Sequence, residues 1–115
     1  MRLRLTRKQR LLKAQQFKQI LKAGRKSSYK RELSVFCMEN LLPLARVGII
    51  VPKKNVKLST RRNRAKRLFR EAFRLNQARI KPGLDILIYS YKGAESLDQA
   101  QSSLIEALKK ANALL

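Results

Sequence analysis

The chain has 115 residues, and its 28 Lys+Arg against 7 Asp+Glu give a formal net charge of +21. That length supports a single domain, residues 1–115, with one modest core; a lone cysteine excludes an intrachain disulfide or a cysteine-rich zinc site, and the absence of histidine excludes Ser-His-Asp and Cys-His nucleophilic sites and imidazole metal ligands. The apolar runs are too short to span a bilayer, and no apolar run follows the basic N-terminus as in a signal peptide, so the expectation is a soluble cytoplasmic protein with a polyanionic partner and no membrane.

The first 31 residues hold 12 basic side chains and no acid. Residues 1–10 lack a helical apolar stripe and read as a flexible basic arm. Lys13–Ala23 then reads as a short helix, because Phe17, Ile20 and Leu21 fall at i, i+3 and i+4, with Gly24 as its stop. From about Lys26 to Asn40 the chain reads as extended: Leu33, Val35 and Cys37 alternate with Ser34, Phe36 and Met38. Asn40–Leu44, with Pro43, reads as a turn. Arg46–Pro52 is a second strand rich in β-branched residues and closed by proline.

Ser59 or Thr60 can cap the next helix, which the spacing carries to about Gln77. Ala65, Leu68, Phe69, Ala72 and Phe73 form a complete amphipathic stripe, and Asn63, Lys66, Arg67, Arg70 and Arg74 fall together on the opposite side, flanked by Arg62 and Arg64. Residues 53–74 hold 10 basic side chains and one acid, so the two basic windows contain 22 of the 28 cations. Scattered charge serves solubility, whereas concentrated charge with few interspersed acids reads as a docking surface. Pro82-Gly83 marks a turn. Leu84–Tyr91 carries apolar groups on both faces and reads as a central strand. Ser96 and Gln99 match a capping box for a last helix whose buried stripe would be Ala100, Leu104, Leu108, Ala111 and Leu115. The order of helix, strands, helix, strand, helix describes an α+β sandwich around one small sheet.

The basic helix has a direct chemical use. Arginine forks pair phosphate oxygens through two parallel hydrogen bonds, and the i, i+3, i+4, i+7 spacing sets them along one face. Asn63 both donates and accepts, as a base edge or a ribose hydroxyl requires. The seven acids form no dense metal-binding motif, so an autonomous nuclease site is not expected.

Arg46-Val-Gly-Ile-Ile-Val-Pro-Lys-Lys54, followed by Arg62-Asn-Arg-Ala-Lys-Arg-Leu-Phe-Arg-Glu-Ala-Phe73, resembles the bacterial ribonuclease P protein family, whose hallmark Arg-Asn-Arg-x-Lys-Arg-x-x-Arg is present without departure. Phe17 and Lys22-Ala-Gly-Arg25 fit that family's first helix and its exit. The resemblance implies a two-layer α-β sandwich of order αβββαβα. Its small mixed four-stranded sheet would resemble the ribosomal-protein domain 2-like fold, with a left-handed βαβ crossover. It implies a protein subunit of the ribonucleoprotein that cleaves the 5′ leader from precursor tRNA. The RNA subunit would hold the magnesium ions and perform the cleavage; the protein would bind no cofactor and need no protein partner. It implies that Arg62, Asn63, Arg64, Lys66, Arg67, Arg70 and Arg74 bind the catalytic RNA. Phe17, Leu21, Phe36, Lys53 and Lys54 would bind the leader in a cleft. On the residues alone Phe17 and Phe36 read first as core, and it is the resemblance that brings a role in the cleft level with that reading; a ribosomal or other structural RNA-binding protein remains the alternative. Cys37 reads as a small buried hydrophobe and Tyr89 and Tyr91 as packing residues.

Overall fold

The computed structural model describes residues 9–10 and 14–115. Its elements are α1 (Ala14–Ala23), β1 (Arg25–Tyr29), β2 (Leu33–Glu39), β3 (Arg46–Ile50), α2 (Ser59–Asn76), a 3-10 turn (Gln77–Arg79), β4 (Leu84–Ser90) and α3 (Leu97–Lys110). The strands form one mixed sheet in the order β1-β2-β4-β3. β2 is antiparallel to β1 and β4, while β3 runs parallel to β4, so α2 is the crossover between two parallel neighbours. This is the α+β sandwich of order αβββαβα expected from the sequence.

The sheet has two unequal apolar faces. Leu33, Val35 and Cys37 of β2 and Leu84, Ile86 and Ile88 of β4 meet α2 and α3, whose Ala65, Phe69, Ala72, Phe73, Ala100, Leu104 and Leu108 complete the main core. Phe69 and Phe73 are fully buried there, each contributing about 2–3 kcal/mol through area removed from water. The opposite face carries a smaller cluster, Ile20 of α1 on Leu87 with Phe17, Phe36, Met38 and Ile50 around them. Period-two alternation along β2 and β4 assigns each residue to one face or the other. β4 is central and its apolar residues serve both layers.

Local departures from the sequence reading have physical causes. The extended stretch is two strands joined by Lys30–Glu32, with Lys30 at φ 50°. No glycine, asparagine or aspartate marks that turn. Gly24 ends α1 with a φ outside the left-handed region. It is small because a Cβ there would lie 2.5 Å from the Ile20 carbonyl oxygen, to which the Gly24 N–H already donates at 2.8 Å. β3 stops at Ile50, two residues short of Pro52, and β4 stops at Ser90. Leu58 precedes α2, and neither Ser59 nor Thr60 caps it, because both already lie inside the helix. At α3 the Ser96 half of the expected box is present: Ser96 Oγ accepts from the Gln99 N–H at 3.1 Å, while the Gln99 side chain accepts from the N–H of Glu95, one residue before the cap, instead of from Ser96. α3 ends at Lys110, and Asn112 at φ 55° turns the chain, so Ala113 is buried and Leu115 is exposed rather than part of the stripe. Lys13, the expected first residue of α1, and residues 1–8 of the basic arm lie outside the described residues. Gln9 and Arg10 are placed against the body: Gln9 Nε2 donates to Gln77 Oε1 at 2.9 Å, and Arg10 makes a parallel bridge to Val47 on the outer edge of β3.

Two serines at helix starts therefore differ in kind. Ser96→Ala should cost about 1 kcal/mol in denaturant unfolding, while Ser59→Ala should stay within about 0.5 kcal/mol. Equal losses would contradict the capping difference.

Candidate nucleic-acid interface

α2 turns its apolar stripe to the sheet, which forces the remaining arc outward. Ala65, Phe69, Ala72 and Phe73 are buried; Asn63, Arg67 and Arg70 are exposed and Lys66 is half-buried. Near its end, Asn76 is buried and donates to the Ala72 carbonyl at 2.8 Å and to Gln101 at 3.0 Å, fastening α2 to α3. The basic face is thus presented on a helix locked at its back.

The seven expected RNA-binding residues of α2 divide by what already occupies them. Arg62 donates to the carbonyls of Val56 at 3.0 Å and Lys57 at 2.7 Å, folding the approach loop onto the uncapped helix start. Arg64 donates to the Glu95 carbonyl at 2.8 Å and so ties α2 to the loop before α3. Arg74 is held by the carboxylate of Glu71, and that hydrogen bonding raises its pKa further. Asn63, Lys66, Arg67 and Arg70 remain directed outward as a group. Arg70 has its pKa lowered by partial desolvation and then by the charge of Arg10. Arg10 therefore belongs to this surface, carried there by the bridge to Val47. The sequence signal for it was only the basic N-terminal block, which has no periodicity to place a single residue. Two guanidinium groups held near one another repel, and a bound phosphate would relieve that repulsion.

The leader-binding candidates sit on the other face of the sheet. Phe17 and Phe36 are both half-buried: each packs on the Ile20–Leu87 cluster and keeps part of its surface open. Each is therefore part of the smaller core cluster and keeps some ring surface exposed. The ammonium group of Lys26 lies 5.9 Å from the centre of the Phe36 ring. Leu21 is 40% exposed and stands outside the cluster. Lys53 and Lys54 are exposed in the turn that leaves β3 and leads to α2, on the rim between the two faces.

At the Met38 end of this face lies a polar knot centred on the buried Asp85. Arg46 Nε and Nη2 each donate to one oxygen of Asp85 at 2.7 Å, and Asn40 donates to the same carboxylate at 2.9 Å. The Asp85 hydrogen bonds raise the Arg46 pKa. Every polar atom of that carboxylate is engaged internally, so it is structural rather than free to act on a substrate. Among the described residues, no three His, Cys, Asp or Glu side chains gather closely enough to hold a metal ion. None of the described helices is long and apolar enough to cross a membrane.

The chain matches the family model for Ribonuclease P over residues 5–112. It is 38% identical over 96 residues to the ribonuclease P protein component of Pseudomonas putida, covering 84% of this chain and 71% of that one. Against the Pseudomonas aeruginosa protein of the same description it is 38% identical over 95 residues, covering 83% and 70%. Its fold superposes on the RNase P protein of Staphylococcus aureus with a TM-score of 0.81 at 30% identity, covering 93% of this chain and 98% of that one. On that of Thermotoga maritima it gives 0.77 at 30% identity, covering 87% and 94%.

The one thiol in the chain is no nucleophile. Burial pushes Cys37 up to about 11 against a smaller lowering by the Arg25 charge. The thiolate is the reactive form, so a thiol reagent at pH 8 should leave Cys37 unmodified in the folded protein and label it only in denaturant. Rapid labelling of the native protein would contradict this placement.

Proposed function

The chain belongs to the ribonuclease P protein family, and on that premise we propose that it binds the catalytic RNA through the outward face of α2 and the precursor-tRNA leader through the groove beside α1. Family membership makes it a subunit of an endoribonuclease ribonucleoprotein that processes tRNA, with ribonuclease P RNA as its partner. The finer reading rests on one observation above the others. Asn63, Lys66, Arg67 and Arg70 face outward together on a helix whose other side is buried, with Arg10 beside them. Cations at that spacing suit a phosphate backbone and displace its counterions. Arg62 and Arg64 support the same surface by holding the helix start against its neighbouring loops, and Arg74 does so from its pair with Glu71.

On the groove side, Phe17 and Phe36 offer aromatic surface to an unpaired base, worth about 1–3 kcal/mol per stacked base, and Lys53 and Lys54 offer charge to the strand that carries it. The rim position of those lysines joins the groove to the start of α2. One RNA could therefore be gripped on its folded body while another is held as a single strand. In this reading cleavage of the 5′ leader belongs to the RNA subunit and its magnesium ions, in the cytoplasm. The protein raises affinity for leader-bearing substrate and shields phosphate repulsion.

Adding the protein to a bacterial ribonuclease P RNA at low magnesium should restore 5′ maturation of precursor tRNA, and the protein without RNA should not cleave. Failure to restore cleavage would overturn the reading. If six phosphates are contacted, the log–log salt slope of RNA binding should be roughly −4 to −5. The double variant Arg67→Ala, Arg70→Ala should bind more weakly with a slope shallower by about 1.5. A slope near zero in the parent protein would exclude the electrostatic mechanism.

A further inference from the structure

The groove does not end at Phe36. Strand register places Tyr89 between Ile50 of β3 and Ser34 of β2, on the same face as Phe36 and Leu87 but one step farther from Asp85 and Met38. Tyr91 follows it on that face, its N–H donating to the Glu32 carbonyl at 2.9 Å. β3 is parallel to β4, so the same end of the sheet also leads to Lys53 and Lys54. Tyr89 thus lies beside β3, between the α1 cluster and the end of the sheet that leads to Lys53 and Lys54, while Tyr91 leans toward β2 and β1.

Their geometry is specific. The two rings have centroids 5.3 Å apart and planes tilted by 57°. Rings at that angle cannot both lie flat on one base; the Tyr91 hydroxyl is tied to Ser34, which leaves Tyr89 as the ring to serve as platform. Both tyrosines are half-buried, as a ring with one covered and one open side must be. The hydroxyl of Tyr91 lies 2.8 Å from Ser34 Oγ, which lies 2.7 Å from Ser28 Oγ. Ser34 is fully buried. A hydroxyl has one proton to give, so the buried Ser34 accepts from one neighbour and donates to the other. Three hydroxyls joined by two bonds leave one proton over, at Tyr91 or at Ser28 according to the direction of the chain. Turning the three rotors together reverses it. Tyr91 can therefore present either a donor or a lone pair outward without breaking a bond.

We infer that Tyr89 and Tyr91 form a further single-strand subsite of the groove, in which one unpaired leader nucleotide stacks on Tyr89 while the Tyr91 hydroxyl bonds its base edge or ribose. The inference rests on the leader-groove reading above. The reversible hydroxyl chain makes this contact tolerant of base identity, since it meets a carbonyl or an amino group equally, while the lysines on the rim engage the phosphates. Tyr89 and the Tyr91 hydroxyl touch the nucleotide, and Ser34 is the positioning residue that holds that hydroxyl.

The test uses holoenzyme reconstituted with a bacterial ribonuclease P RNA. Equilibrium binding is measured for precursor tRNA, for mature tRNA and for precursors carrying one abasic nucleotide at successive leader positions. Tyr89→Ala should weaken precursor binding roughly tenfold and leave mature tRNA unchanged, and Tyr89→Phe should restore it. Tyr91→Phe, which keeps the ring, should weaken precursor binding about fivefold. One abasic position that weakens binding to the parent enzyme should have no further effect on Tyr89→Ala. Parent-like precursor affinity in both Tyr89→Ala and Tyr91→Phe, or an equal loss for mature tRNA, overturns the subsite. Phe36→Ala separates the two levels: if it alone loses leader preference, the groove stands and the subsite fails; if none of the variants loses it, both fail. Melting curves of each variant, with Tyr89→Leu replacing any that unfolds, keep the comparison among folded proteins.

Discussion

β4 is hydrogen-bonded along both edges and buried on both faces, and the placement of every other element follows from that. Its even-numbered residues from Leu84 to Ile88 support the large layer of α2 and α3, while Leu87 supports α1 on the reverse. Two layers of unequal size on one sheet leave the smaller layer unable to cover its face. The remainder of that face keeps Phe17, Phe36 and Tyr89 partly exposed. A larger α1, or a second helix on that side, would make a better-packed domain and remove the surface on which the single-strand reading depends.

The same economy governs charge. With seven acids for 28 cations, carboxylates can neutralise only a few sites. Asp85 holds Arg46 at the end of the sheet, Glu71 holds Arg74 at the end of α2, and Glu106 lies 3.4 Å from Lys109 on α3. All three pairs lie away from the first two turns of α2. There the counterparts of Arg62 and Arg64 are neutral carbonyls, which fix the guanidinium groups without cancelling their charge. A carbonyl anchor leaves the positive field intact for a polyanion, whereas a carboxylate anchor would have weakened it. Exposed pairs such as Lys109–Glu106 add little to stability, so this arrangement is chiefly a matter of where the field is left standing.

Much of this is legible in the sequence. The stripe from Ala65 to Phe73, the alternation from Leu33 to Met38 and the Ser96 cap are periodic or local signals, and all three are present in the fold. The turn at Lys30–Glu32 was not legible, because a lysine in a left-handed conformation has no compositional mark. Leu115 was misplaced for a related reason: helical spacing continues through Asn112 in the sequence, but the backbone does not. The basic face of α2 was visible as a face, yet its division was hidden. Which cations bond carbonyls depends on the loops at Val56–Lys57 and Glu95, and Glu95 is 31 residues from Arg64. Tyr89 and Tyr91 read as packing residues since nothing local ties Tyr91 to Ser34 across 57 positions.

The two outermost strands, β1 and β3, are each five residues long, against seven for the inner pair. β1 opens with Arg25 and Lys26, and the free side of β3 is met by Arg10. An unpaired strand edge is a template for another chain, and short, cationic edges repel an identical one. Cationic side chains at both edges thus oppose the joining of copies of this protein edge to edge into extended sheets. That repulsion weakens wherever salt screens it, so resistance to edge-to-edge association is a property of the ionic conditions as well as of the fold.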